Sequence, residues 1–457
     1  MGLHHMKRTQ LQTTRRTALR VGALCGSGLT LPHLLQWNDL AQAAGRRSPT
    51  AKAIILLYMT GGPAQQETFD TKPNASSGYR GEYKPIATTV PGVQICELLP
   101  MLAKNAHRFS IIRSMYHESN DHGLGAHSNL TGIDLASKRN AEAKATRSHS
   151  PCLGSVVSYL QRQPQGLPAS VHLPNRVGDQ NAFQWPGQKG GFLGSQFDPL
   201  MLIDEKWNPG TALPNFSLPS DIQLNRLTDR TRLLSSNTSQ ALSSVTPTTR
   251  DFDRYQQKAL QILSSPTAWK AFNISEEKPQ TVARYGDNRF GRSVLVARRL
   301  VEAGVRVITV TWMLNHSTEN FDTHFNHFKL MKKLLLPPVD RAFSALLEDL
   351  DRRGLLDSTM VAWTGEFGRT PRINKRAGRD HWAPVYSTVL AGGGVKGGRV
   401  IGRSDRIAGQ PADDPHHVSD FFATMYHSLG YNAHTRVKDL SNRPHDIFQG
   451  TPIRSLF

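Results

Sequence analysis

Five apolar runs, each closed by glycine or polar residues, punctuate the chain: KAIILLYM (52–59), RFSIIRSM (108–115), RVITVTWM (306–313), STMVAWTG (358–365) and YSTVLAGGG (386–394). Apolar side chains on consecutive rather than alternate positions predict strands buried on both faces of a sheet. Between these runs the apolar positions recur at helical spacing. GRSVLVARRLVEAG (291–304) and VDRAFSALLEDLDRRGLL (339–356) read as helices that stop at Gly304 and Gly354 and feed straight into a strand. Strands far apart in sequence with helices between them predict a mostly parallel sheet covered on both sides. Ligands of such sheets gather at the carboxyl ends of the strands, so chemistry is expected just after each run. Residues 160–220, rich in Pro, Gly and Gln, predict a long irregular excursion over that edge, and 221–275 predict polar amphipathic helices that form an insertion or cap.

The first residues break this pattern. KRTQLQTTRRTALRVGALCGSGLTLPHLL has a basic front with Arg15 and Arg16 paired, then a weakly apolar stretch, then AQAAG with Ala41 and Ala43 at small-residue cleavage spacing. This predicts a twin-arginine signal over residues 1–43 and an exported protein of the periplasm or cell surface. Leu24 stands where a small residue is needed before a lipidated cysteine, which argues against lipidation of Cys25. Elsewhere there is no apolar run of roughly 18 residues to span a membrane.

Composition then narrows the partners. The chain of 457 residues carries a net charge of +19, and loss of the leader leaves the remainder strongly basic. Such a field favours anionic substrates or polysaccharides. No zinc finger or aromatic single-strand-binding signature accompanies it, so nucleic acid is not expected. Cys96 and Cys152 are left after the leader, and a disulfide between them is permitted by an oxidising compartment without being required.

Candidate chemistry clusters after the predicted strands. FDTHFNHF (321–328) holds Asp322, His324 and His327. In an extended chain Asp322 and His324 project to one side; if a helix starts there, His324 and His327 share a face. Histidine and aspartate are zinc ligands at about 2.0–2.2 Å, and carboxylates also hold Mg, Ca or Mn. The same short motif also suits a helix cap or a core hydrogen bond. WTGEFGRTP (363–371) adds Glu366 and Arg369, and GRDHWAP (378–384) adds Asp380 and His381. Arg369 is suited either to bind an anion with its planar fork or to form an ion pair with Glu366 or Asp380. TGGPAQQETFDTKP (60–73) contributes two glycines that let backbone approach a ligand, then Glu67 and Asp70. HESNDHGLGAHSNLTG (117–132) concentrates His117, Asp121, His122 and His127, either as ligands or as a histidine-rich surface loop.

The motifs GGPAQQETFD, AHSNLTG, YGDNRFGRSVLVARRLVEAGVRVITV, FDTH, EFGRTP and GRDHW, in this order, resemble the bacterial domain-of-unknown-function family 1501, whose members are similar to the alkaline phosphatase and sulfatase superfamily. The resemblance covers nearly all of the chain after the leader. It implies a three-layer α/β/α sandwich, alkaline-phosphatase-like, with residues 44–457 as one domain carrying an insertion at about 160–275. By motif, Asp322 and His324 resemble the aspartate and histidine of one metal site, and His381 the histidine that completes it. Glu366 stands at the position of a post-strand metal carboxylate, and Glu67 where the family usually has aspartate, so that a longer side chain must reach the same place. His127 matches a recurring histidine that binds metal or substrate; His327 lies outside the matched part.

These positions imply a divalent metal, zinc first, with Mg, Ca or Mn as alternatives, and a hydrolase of phosphate or sulfate esters acting on an anionic small molecule or polysaccharide. Arg369 would bind the transferring group. Neither Cys96 nor Cys152 lies in the C/S-x-P-x-R context that matures to formylglycine, which disfavours a formylglycine sulfatase. Thr68 and Ser114 are candidate nucleophiles by location, and without one of them an activated water attacks directly. Two other classes stay open: a cell-surface binding protein on the same fold, and a transferase or isomerase resembling phosphoglycerate mutase.

Overall fold

The computed structural model describes residues 48–135, 145–161, 166–178, 184–203, 208–211, 229, 265–312 and 319–457. The expected leader and most of the expected insertion lie outside the described residues; of the stretch 221–275 expected to be helical, residues 229 and 265–275 are described, and Pro266–Phe272 is a helix. Residues Pro49–Phe457 form one compact unit.

At its centre is a nine-stranded sheet. Its strands are β1 (Ala53–Tyr58), β2 (Phe109–Tyr116), β3 (Ser170–Leu173), β4 (Leu200–Met201), β5 (Val307–Thr311), β6 (Thr359–Thr364), β7 (Tyr386–Ala391), β8 (Val400–Ile401) and β9 (His416–His417). The order is β8-β2-β7-β6-β1-β5-β3-β4, with β9 also on β2. β1 pairs in parallel with both β5 and β6, while β7 runs antiparallel to β6 and β2. The five predicted strands are all present. One sequence expectation is corrected: residues 170–173, assigned to an irregular excursion, form a buried strand parallel to β5. Four residues between polar and Pro-rich stretches are too short a run to declare a strand by periodicity.

Alternate residues of the central strands enter two separate cores, as the two-residue period requires. Ile55 and Leu57 of β1 with Val361 and Trp363 of β6 pack against the helices α3 (Arg289–Ala303) and α4 (Leu336–Arg352). Ile54 and Leu56 with Met360 and Ala362 pack against α1 (His122–Thr131), α2 (Leu153–Leu160) and α5 (Val418–Ser428). The result is the three-layer α/β/α sandwich. α3 ends at Gly304, which takes the left-handed conformation with φ 102° that closes a helix, and α4 gives way to Gly354 with φ 65°.

α3 and α4 are joined by a charge network in which the buried Arg298 meets Glu277 at 2.8 Å and Asp349 at 3.0 Å. Among the described residues no helix is long and apolar enough to cross a membrane. Cys96 and Cys152 are both buried free thiols.

Three buried histidines make this scaffold acid-sensitive. Burial pulls His117, His127 and His172 from 6.5 down to about 4. Each is neutral in the folded state, and the unfolded chain takes up the proton first. Stability is therefore complete above pH 6.5 and falls as pH drops from 6.5 toward 4, by roughly 3 kcal/mol per histidine. Thermal melts between pH 7 and 4 should show this loss, and His172→Asn, which removes the one of the three groups that lies on β3, should flatten the slope.

Candidate metal centre

Five chain segments meet at one edge of the sheet. β1, β2, β5 and β6 all deliver their following residues there, and β7, being antiparallel, begins there. This brings together Gly61, His122, Asp322, Glu366 and His381, from positions spread over some 320 residues of sequence.

The centre is Asp322. His324 Nε2 and His381 Nε2 each lie 3.0 Å from its Oδ1, and they lie 3.0 Å from one another. His122 Nε2 is 3.3 Å from the other oxygen. Donor atoms of His122, Asp322 and His381 all fall within 4.8 Å of one another. Arg369 closes the group from below, with Nη2 2.7 Å from Asp322 Oδ1.

The outer nitrogens decide what the inner ones can do. His324 Nδ1–H donates to Asp380 at 2.6 Å, and His381 Nδ1–H donates to the carbonyl of Asn120 at 2.8 Å. A carbonyl and a carboxylate only accept, so neutral rings carry their lone pairs on Nε2. Two lone pairs thus face each other and a carboxylate oxygen at 3.0 Å. The arrangement is repulsive unless a cation lies among them. A proton satisfies one such pair, whereas three imidazoles and a carboxylate converging on one region form a donor set of zinc type. Ligands about 2.0–2.1 Å from a tetrahedral ion lie about 3.3 Å apart, close to the 3.0–3.3 Å that separate Asp322 from each of the three rings and His324 from His381. His122 supports the fit: among the described residues its buried Nδ1 has no hydrogen-bond partner, and Glu366 Oε1 lies 3.8 Å away.

Local structure explains each placement. Asp121 caps α1, its carboxylate accepting from Leu124 N–H at 3.0 Å, and this puts His122 at the first helical position. The His122 ring is stacked on Trp185 at 4.8 Å and flanked by Phe367 at 4.9 Å, an apolar wall that limits solvent. Glu366 is fully buried, and both its oxygens accept from Gly61 N–H, at 3.0 and 2.8 Å. Gly61 has φ 100°, and a Cβ there would stand 2.3 Å from the Asp322 nitrogen, so only glycine lets this turn lie against the ligand-bearing segment.

The charges are held firmly. Burial would raise the Asp322 pKa, but the hydrogen bond from His122 and the Arg369 charge outweigh it and hold the carboxyl far below the usual range. Burial would lower His122, yet its contacts with Asp322 and Glu366 lift it to about 9. His381 goes the other way, lowered by burial and by the neighbouring His122 and Arg369 charges.

The other sequence-predicted residues are engaged differently. Arg369 is completely buried, its fork donating to the carbonyls of Gly62 (3.0 Å), Arg379 (3.1 Å) and Gly61 as well as to Asp322. It braces Asp322 instead of presenting an open face to an anion, and it pairs with neither Glu366 nor Asp380 directly. Glu67, expected to reach the metal, has its two oxygens taken by Arg379 Nη2 at 2.8 Å and by His327 Nε2 at 2.9 Å. Burial opposes its charge, but those two partners lower its pKa. His327 in turn accepts from Thr323 Oγ1 at 2.6 Å, so this buried group anchors the residue between Asp322 and His324.

Thr68 donates its hydroxyl to Ala64 O at 2.8 Å, and Ser114 donates to Asp414 O at 2.5 Å. His127 lies in the middle of α1, bonded through Nδ1–H to Ile133 O at 2.8 Å and ring to ring with His149 at 5.8 Å. Sequence reasoning named His122 within its loop but gave the role to His127. The signal was position: His122 directly follows the capping aspartate beyond an apolar strand, where the helix begins at the sheet's active edge.

A three-layer α/β sandwich with a histidine–carboxylate cluster at its carboxyl edge is the class that fold and site define. The chain belongs to the family described as Protein of unknown function (DUF1501), whose model matches residues 51–457. No curated protein sequence matches it. Among solved structures it is similar to Ps i-CgsB in complex with k-i-k-neocarrahexaose, at 12% identity and TM-score 0.39, over 84% of this chain and 73% of that one. It is also similar to a TAB5 alkaline phosphatase variant with Mg bound, at 12% identity and TM-score 0.37, over 78% and 95% of the two chains. A third is the PsFucS1 sulfatase from Pseudoalteromonas sp., at 11% identity and TM-score 0.37, over 87% and 70%. At these scores the likeness is loose.

Two outcomes test the centre. Purified protein titrated with Co(II) should develop the visible spectrum of a bound, low-coordinate ion; His122→Ala and His381→Ala should abolish it, His127→Ala should keep it, and Asp380→Asn should weaken affinity about 10–100-fold. Gly61→Ala should lose binding as well, because the added methyl strains the backbone by about 1–3 kcal/mol and displaces Asp322. Circular dichroism that remains native-like would place that defect at the site.

Proposed function

We propose that this protein is an exported metal-dependent hydrolase of phosphate or sulfate esters, with residues 1–43 as a twin-arginine leader and 44–457 as one catalytic domain. The observation that carries the reading is the convergence of His324 and His381 Nε2, 3.0 Å apart, on the same oxygen of Asp322. His122, Asp322, His324 and His381 would hold a divalent ion, with Glu366 beside His122. When bound, such an ion supplies Lewis-acid polarisation of an ester oxygen and a more acidic water at neutral pH. The chain's own residues do the rest. Asp380 and the Asn120 carbonyl fix the ring tautomers, and Arg369 keeps Asp322 ionised and in place. Trp185 and Phe367 screen His122 from solvent. Anionic substrates suit a chain of net charge +19.

A second reading is a cell-surface binding protein that keeps the ion for structure. It is favoured by the engagement of both candidate hydroxyls, Thr68 and Ser114, with backbone carbonyls.

Metal analysis together with a panel of aryl phosphates and sulfates separates the two. The hydrolase predicts tightly bound zinc and turnover of at least one ester, reduced more than about 100-fold by His381→Ala and by chelation and restored to the chelated protein by zinc. Bound metal with no turnover on any ester would leave the binding protein. Fusion of residues 1–43 to a folded reporter, scored for export with Arg15→Lys and Arg16→Lys as control, tests the leader.

A further inference from the structure

We infer that the cleft beside the candidate metal centre is a saccharide-binding subsite that takes the uncharged sugar portion of an ester whose anionic group lies at the cluster; the second half of this statement rests on the hydrolase reading above. The cleft has a volume of about 530 Å³ and is lined by Tyr116, His117, Glu118, Asn120 and Gln410 together with three prolines. That volume is in the range of small-molecule sites.

Two wall residues are one hydrogen bond from the cluster. The Asn120 carbonyl accepts from His381 Nδ1–H at 2.8 Å, and His117 Nε2–H donates to the Glu366 carbonyl at 2.5 Å. A ligand in the cleft therefore lies against the residues that orient His381 and Glu366.

The lining determines the chemistry. In a chain with 55 lysines and arginines, none among the described residues lines this cleft, and the one carboxyl side chain in its wall is that of Glu118. A polyanion would meet that carboxylate with nothing to offset it. An apolar ligand would desolvate the Glu118, Asn120 and Gln410 side chains without replacing their bonds to water. Hydroxyl groups suit all three, since each both donates and accepts. The Asn120 amide is already aimed: its Oδ1 accepts from Ala383 N–H at 2.6 Å, which leaves Nδ2 to donate outward. The Tyr116 ring with Pro384, Pro411 and Pro415 supplies rigid apolar surface for the C–H faces of a sugar ring.

The experiment is calorimetry of the full chain with neutral hexasaccharides (maltohexaose, cellohexaose, a galactan hexamer) and with heparin, alongside hydrolysis of 4-nitrophenyl phosphate and sulfate and of hexose phosphates and sulfates. At least one neutral hexasaccharide should bind, and Tyr116→Ala and the exposed Gln410→Ala should each weaken it about tenfold or more. The same substitutions should raise KM for the sugar esters with kcat unchanged, and should leave 4-nitrophenyl ester turnover and bound metal as in the unaltered protein. The inference is overturned if no neutral hexasaccharide binds, if neither substitution affects binding, or if heparin is the ligand lost in both variants. Since calorimetry needs no turnover, failure on every ester would remove the hydrolase while sugar binding is still decided.

Discussion

The electrostatic balance around Asp322 is the constraint on which the rest of this structure depends. A largely buried carboxylate, three imidazoles and a fully buried guanidinium share one region. Each alone would be costly to remove from water, by several kcal/mol for an unpaired ion. Together they are mutually satisfying, yet the inner ring nitrogens still face one another with lone pairs. These are donor atoms of the kind that could hold a metal ion.

Much of the surrounding fold serves to hold that arrangement. Gly61 gives its N–H to Glu366 and its carbonyl to Arg369, so one residue ties the first strand's loop twice to the segment that follows β6. Asn129 of α1 donates to the Glu366 carbonyl at 2.9 Å and its Oδ1 accepts from Thr364 and Tyr386, locking the helix that carries His122 onto β6 and β7. Beside the segment that bears Asp322 and His324 lies a second buried charge group, Glu67 with Arg379 and His327. Through Thr323 it anchors the chain between Asp322 and His324. Each oxygen of that carboxylate has a partner within the group.

The functional question turns on where a nucleophile would come from. Arg369 has its fork engaged and the hydroxyls of Thr68 and Ser114 bond to backbone, so what this chain offers at the cluster is donor atoms, tight tautomer control and an apolar screen. Those features suit activation of water more than covalent catalysis. The chain as a whole is basic, whereas the adjoining cleft is lined by Glu118, Asn120, Gln410 and apolar rings, with no lysine or arginine among the described residues that line it.

Sequence by itself determined the strands, the two long helices and the edge at which the candidate side chains gather, because burial on both faces of a parallel sheet leaves consecutive apolar runs and helices leave a 3.6-residue period. It also named Asp322, His324, Glu366 and His381, since each stands just past or just before such a run and bears ligand chemistry. It could not rank His122 against His127, or Glu67 as ligand against Glu67 as ion pair. Those choices depend on which helix face packs on Glu366 and on whether Arg379, 312 residues away, arrives beside Glu67. The short strand at 170–173 likewise exists because β5 offers it hydrogen bonds. Local periodicity is written along the chain, but partners distant in sequence are supplied only when the sheet assembles, and it is the partner that sets a side chain's charge, tautomer and role.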